Sequence, residues 1–149
     1  MNSLRGEDVA QVARSWIGTP YRHQCSVKGA GSDCLGLLRG VWRECFDDEP
    51  ENVPAYTADW SEPQGDEILL KAAQQYLFPV DHRQIDPGDV VLFRLRENSI
   101  AKHLGIIGKT GDVPTFIHAY SGHSVVESPL SNPWTRRIAA RFSFFEEIN

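Results

Sequence analysis

Apolar positions recur at helical spacing over the first half of the chain. Val9, Val12, Ala13 and Trp16 fall on one face of a segment spanning 7–17, and Gly18 followed by Pro20 ends it. Segment 34–46 has the same period. Leu37, Leu38, Val41, Trp42 and Cys45 make its apolar face, and Ser32 or Asp33 can cap its start. A third helical pattern covers 67–78 through Ile68, Leu69, Ala72 and Tyr76. The segment 19–33 is rich in glycine and polar residues and reads as a loop. The segment 47–66 holds three prolines and the acidic residues Asp47, Asp48, Glu49 and Glu51, which reads as an irregular surface excursion.

The period changes after Asp86-Pro87-Gly88-Asp89, which has proline and glycine where a type II turn prefers them. From there β-forming residues dominate with a period of two. Strands are predicted at 90–96, 103–109, 115–120, 124–127 and 138–145. Short connections between them imply antiparallel pairing. Helices first and strands second is the α+β pattern, and 149 residues suit one domain over 1–149.

Composition narrows the function. Net charge is −5, from 15 basic and 20 acidic residues, which lacks the basic footprint of a nucleic-acid binder. The longest apolar run is four residues, Val90 to Phe93, far short of the roughly 20 a membrane helix needs. No membrane insertion is therefore expected. The first eight residues lack the basic-then-apolar order of a secretory signal.

Three cysteines, Cys25, Cys34 and Cys45, make no closed disulfide set and no Cys-x-x-Cys pair. Cys34 falls in the first turn of the second predicted helix. Unpartnered backbone N–H groups and the helix dipole favour a thiolate there. Gly31 and Gly36 flank it and keep bulk away. Cys25 and Cys45 read as small buried hydrophobes, which is also the alternative for Cys34.

A thiolate nucleophile needs an imidazole partner and something to orient that imidazole. If strands 103–109 and 115–120 form a hairpin with Gly108 opposite Thr115, paired numbers sum to 223. His118 then faces Gly105, and His103 is its diagonal neighbour on the same face, about 7–8 Å away. An even sum would put the two histidines on opposite faces. A zinc site of Cys34, His118 and His123 has poor spacing, since a predicted turn at 121–122 interrupts it. Tyr21 can reach the thiolate with its hydroxyl, or be a half-buried loop aromatic.

Five blocks then appear in order. They are Trp16-Ile17-Gly18-Thr19-Pro20-Tyr21, Ser32-Asp33-Cys34-Leu35-Gly36-Leu37, Pro87-Gly88-Asp89-Val90-Val91-Leu92-Phe93, His103-Leu104-Gly105-Ile106 and Phe116-Ile117-His118-Ala119. Together they resemble the NlpC-type cell-wall cysteine peptidases. The resemblance implies a papain-like α+β fold, with N-terminal helices packed on a five- to six-stranded antiparallel sheet. It implies cleavage of peptidoglycan stem peptides, commonly at the γ-D-glutamyl–diaminopimelate bond, with no metal or other cofactor. By motif position, Cys34 is the nucleophile, His103 the base and His118 the orienting residue. Tyr21 and Asp33 are the substrate-binding or oxyanion positions, and the Cys34 backbone N–H helps bind the oxyanion.

Two departures stand out. His23-Gln24-Cys25 replaces the family's aromatic-Gly-Gly, and Leu35 stands where many members carry serine. Leu35, with the Leu37 to Trp42 segment, is similar to the phage branch, including peptidases of gene transfer agents. That likeness implies a signal-less protein made in the cytoplasm, assembled with tail-tip or baseplate proteins, and acting in the periplasm on the cell wall. Two other readings remain open: a structural tail protein with little turnover, and amidase or acyl-transfer chemistry at the same site. Segment 47–66 and the C-terminal strand are candidate docking or substrate-rim surfaces.

Overall fold

A computed structural model describes residues 4–47, 49, 67–120 and 122–146. The three predicted helices are present as α1 (Gly6–Arg14), α2 (Cys34–Phe46) and α3 (Ile68–Tyr76). Asp33 is the N-cap of α2, its carboxylate accepting from the Gly36 N–H at 2.7 Å. The segment 19–33 is not all loop. It holds a small antiparallel pair, β1 (Ser26–Val27) and β2 (Gly31–Ser32). Two-residue strands are too short to show a period, so the sequence pattern missed them.

The main sheet has six strands: β3 (Phe78–Pro79), β4 (Val90–Arg94), β5 (Ala101–Ile107), β6 (Thr115–His118), β7 (Val126–Pro129) and β8 (Ile138–Ser143). Their order is β3-β8-β4-β5-β6-β7, and every pairing is antiparallel. The α+β expectation holds. The third helix stops before the predicted 78, because Pro79 has no N–H to continue it and Phe78 pairs with Ser143 instead. A short helix, α4 (Asn132–Thr135), precedes β8 and was not predicted.

The apolar run Val90 to Phe93 is the central strand, buried on both faces. Val90 and Leu92 pack into the larger core with Val9, Ala13, Trp16, Leu37 and Val41 from α1, α2 and the turn after α1. Val91 and Phe93 pack on the other face with Ile107, Phe116 and Leu130, against Trp134 of α4. A continuous apolar run rather than an alternating one is what such a strand requires. The predicted turn is present: Asp89 N–H donates to the Asp86 carbonyl at 3.1 Å, and Gly88 has φ +89°. The buried Asp89 carboxylate holds both Arg83 amino groups, at 2.8 and 3.1 Å.

Most of the proposed surface excursion at 47–66 lies outside the described residues, as does Ser121 of the predicted 121–122 turn. Glu49, which is described, accepts from Arg39 at 2.7 and 3.0 Å and so closes back on α2. Among the described residues, no helix is long and apolar enough to cross a membrane.

Candidate active site

The β5–β6 register is the predicted one: Ile106 pairs with Ile117 and Ile107 with Phe116. The ladder stops there, short of both histidines. Two irregularities aim the rings. Phe93 pairs with His103 but Arg94 pairs with Ala101, so Lys102 is an extra residue beside the histidine. Gly105 stands between the histidines in sequence register. A Cβ there would sit 2.6 Å from the Phe116 ring and 3.4 Å from His118 Cβ. With that space free, His103 Nε2 lies 2.9 Å from His118 Nδ1.

Cys34 opens α2 beneath the end of this ladder. The backbone amides of Leu104, the residue after His103, of Leu35 and of Cys34 itself lie near enough to favour the charged form of its thiol. The amides of the helix start therefore act in the predicted direction. They do not win. Burial pushes the thiol up first, the adjacent Asp33 carboxylate second, and the three N–H groups pull it down by less, leaving it at about 12. The expectation that the helix start favours a thiolate is corrected on this point. The thiol is only 7% exposed, and desolvation penalises the charged form more than the N–H groups favour it.

The imidazoles are neutral for the same reason. Burial, then the neighbouring His118, pushes His103 down to about 3. Burial, then His123, pushes His118 down to about 4. An aromatic shell does the burying. The Trp134 ring centroid lies 5.7 Å from His103 and 5.5 Å from His118, and Phe116 lies 4.1 Å from His118. Tyr120, 38% exposed, edges onto His103 at 5.7 Å. At rest the thiol is protonated and both imidazoles are neutral.

Asp33 is 3% exposed. One carboxylate oxygen caps α2, and the other accepts from the Gln24 N–H at 2.7 Å and lies 3.7 Å from His23 Nδ1. Gln24 has φ +63°, and Asp33 holds that turn against the helix start. Tyr21 is brought to the same place by a parallel bridge between its backbone and Ser32. Gly36 is explained by a neighbouring backbone: a Cβ would collide with the Cys25 carbonyl oxygen. Cys25 and Cys45 are free and partly buried, and burial pushes Cys45 up to about 11. Among the described residues, no group of three or more potential metal ligands gathers.

Two participants were not singled out in the sequence. His118 Nε2 lies 3.0 Å from Ser128 Oγ. The predicted strand stopped at 127, one residue short, although the alternation running through Val126 points to Ser128. Trp134 left no sequence signal, since its α4 helix is a single turn.

A cysteine in the first turn of a helix, laid against an antiparallel strand that carries a histidine, places the chain in the papain-like class of α+β proteins. Comparison with known proteins refines the class. The NlpC/P60 family profile matches residues 18–142, and the chain belongs to that family. It is 27% identical over 125 residues to an Escherichia coli K12 protein named "Probable endopeptidase NlpC", covering 83% of this chain and 68% of that one. Among solved structures it is similar to the NlpC/P60 domain of the peptidoglycan hydrolase SagA. The TM-score there is 0.62 at 20% identity, over 94% of this chain and 99% of that one. It is similar to an NlpC/P60 family protein of Bacillus cereus, with TM-score 0.64 at 18% identity over 96% of this chain. The chain spans only 41% of the Bacillus cereus protein. At these identities the structural likeness establishes the fold.

Proposed function

We propose that this protein is a cysteine endopeptidase that hydrolyses peptidoglycan stem peptides, with Cys34 as nucleophile, His103 as base and His118 as orienting residue. The observation that carries the reading is the 2.9 Å contact between His103 and His118, with Cys34 packed in the same core cluster as Leu104, the residue after His103. In this mechanism the thiol proton passes to His103 as sulfur attacks the amide carbonyl. The Cys34 N–H, at the open start of α2, donates to the developing oxyanion. His103 then protonates the leaving amine, and water hydrolyses the thioester. Tyr21 and Asp33 border this position as substrate-side residues. Because both partners rest neutral, proton transfer accompanies substrate binding rather than preceding it.

The finer assignment is the γ-D-glutamyl–diaminopimelate bond, cut by a component of a phage-like tail such as that of a gene transfer agent. Its support is the residue pattern around Leu35 and the likeness to cell-wall hydrolases of the family. On this reading the protein is made in the cytoplasm, docks on tail-tip or baseplate proteins and acts in the periplasm. One observation favours the alternative of a structural tail part with little turnover: the thiol is 7% exposed and pushed up to about 12.

The deciding experiment is muropeptide release from purified Gram-negative sacculi, wild type beside Cys34→Ala. New peptide termini from wild type alone support the peptidase and identify the bond. No release from wild type, with Cys34 slow to react with iodoacetamide, favours the structural part.

A further inference from the structure

The hydrogen-bond chain that leaves His103 continues past His118. Ser128 pairs with Phe116 across β6 and β7, which puts it diagonal to His118 on one face, and its Oγ lies 3.0 Å from His118 Nε2. Two neutral imidazoles in series have two self-consistent proton arrangements. In the first, His103 Nε2–H donates to His118 Nδ1, and His118 Nε2–H donates to Ser128 Oγ. His103 Nδ1 is then bare. In the second, every bond is reversed: the Ser128 hydroxyl donates to His118, His118 Nδ1–H donates to His103, and His103 Nδ1 carries the hydrogen. Only the first can take a proton from a thiol.

The two ends of the chain favour the first arrangement. His103 is 5% exposed and its Nδ1 has no hydrogen-bond partner among the described residues, so a hydrogen on it would be a buried donor without an acceptor. A buried N–H without a good acceptor carries its desolvation cost, whereas a bare nitrogen can accept from S–H. Ser128 is only partly buried, so its own hydroxyl hydrogen can turn to water while Oγ accepts. We propose that Ser128 is a positioning residue: by ending the chain as an acceptor it holds both imidazoles in the tautomer that leaves His103 Nδ1 free for the Cys34 proton. The kinetic consequence rests on the peptidase reading; the tautomers themselves do not.

The test compares wild type with Ser128→Ala and Ser128→Thr. Long-range nitrogen–proton spectra of the histidine rings at pH 7.5 should find His103 and His118 both protonated at Nε2 in wild type. In Ser128→Ala, His118 should become a tautomer mixture, and Ser128→Thr should restore the wild-type pattern. Iodoacetamide alkylation of Cys34, read on its own peptide so that Cys25 and Cys45 are counted apart, should slow about tenfold in Ser128→Ala and recover in Ser128→Thr. On a cleaved muropeptide, kcat should fall by the same factor with KM unchanged. Ser128→Cys, near isosteric and a poorer acceptor, serves if the alanine variant does not fold. His118 found as the Nδ1–H tautomer in wild type overturns the proposal. So do an unchanged tautomer and unchanged alkylation rate in Ser128→Ala. If the spectra and alkylation follow Ser128 while no muropeptide is cut, the peptidase reading fails and the role of Ser128 stands.

Discussion

Asp33→Asn should weaken the fold and make the Cys34 thiol more acidic in the same molecule. The carboxylate accepts from Gly36 N–H and from Gln24 N–H, each at 2.7 Å, and is almost fully shielded from water. Asparagine caps helices about as well as aspartate, so its one carbonyl oxygen can keep the Gly36 bond. Its NH2 group then meets the Gln24 N–H, donor against donor. Losing that charge-assisted bond costs about 1.5–3 kcal/mol. Removing a negative charge from the start of α2 costs about 0.3–1 kcal/mol more. The sum is a loss of about 2–4 kcal/mol. The thiol moves the other way. Asp33 is the second cause holding it up, so its pKa should fall, yet stay above the ordinary range because burial is the first. Urea unfolding gives the stability change, provided the slope m is unchanged. The pH dependence of Cys34 alkylation gives the thiol. A variant that keeps its urea midpoint, or whose thiol becomes less acidic, would refute this account of Asp33.

The pH window of stability follows from the buried site. His103 and His118 lie below their ordinary 6.5, at about 3 and about 4, so the unfolded chain binds protons first. Their contribution is present above pH 6.5 and is lost as pH falls toward 3. Cys34 lies at about 12 against 9.0, so its contribution is present below pH 9 and lost as pH rises toward 12. The urea midpoint should plateau between about pH 7 and 9, and Cys34→Ala should flatten the alkaline decline; a midpoint that rises below pH 6 contradicts the neutral histidines. Gly105→Ala should cost about 1–3 kcal/mol by thermal unfolding and slow Cys34 alkylation, because the added methyl pushes on Phe116 and His118. Equal stability with an unchanged rate would contradict the close approach seen at Gly105. Trp134→Ala should cost about 3 kcal/mol and let water reach both imidazoles. An NMR titration should then find His103 raised from about 3 toward its ordinary 6.5, and no rise would mean that Trp134 does not shield it.

Much of the site was legible before folding because its signals are local. Cysteine at the first turn of an amphipathic segment, Asp33 as a cap and the Pro87-Gly88 turn each depend on a few neighbours in the chain. The histidine pairing was legible because the side-chain period of a strand is two, so hairpin register alone decides whether His103 and His118 share a face. Other features were not local. The last strand, β8, inserts between β3 and β4, and β4 takes α4 and Trp134 on its far face. No periodicity within a strand names its neighbour.

The thiol's chemistry shows the same division. The amino-acid sequence by itself determined which residues could meet: a thiol at a helix start, two imidazoles in register, and an acidic cap beside them. Only the tertiary structure decided their protonation and their company. Whether a thiol or an imidazole is charged depends on how much water the rest of the fold removes from it, and desolvation comes from residues distant in sequence, Leu104 and Trp134 among them. The end of the β5–β6 ladder short of both histidines and the neighbouring strand that brings Ser128 to His118 were likewise settled by packing, since each depends on where several elements stop against one another.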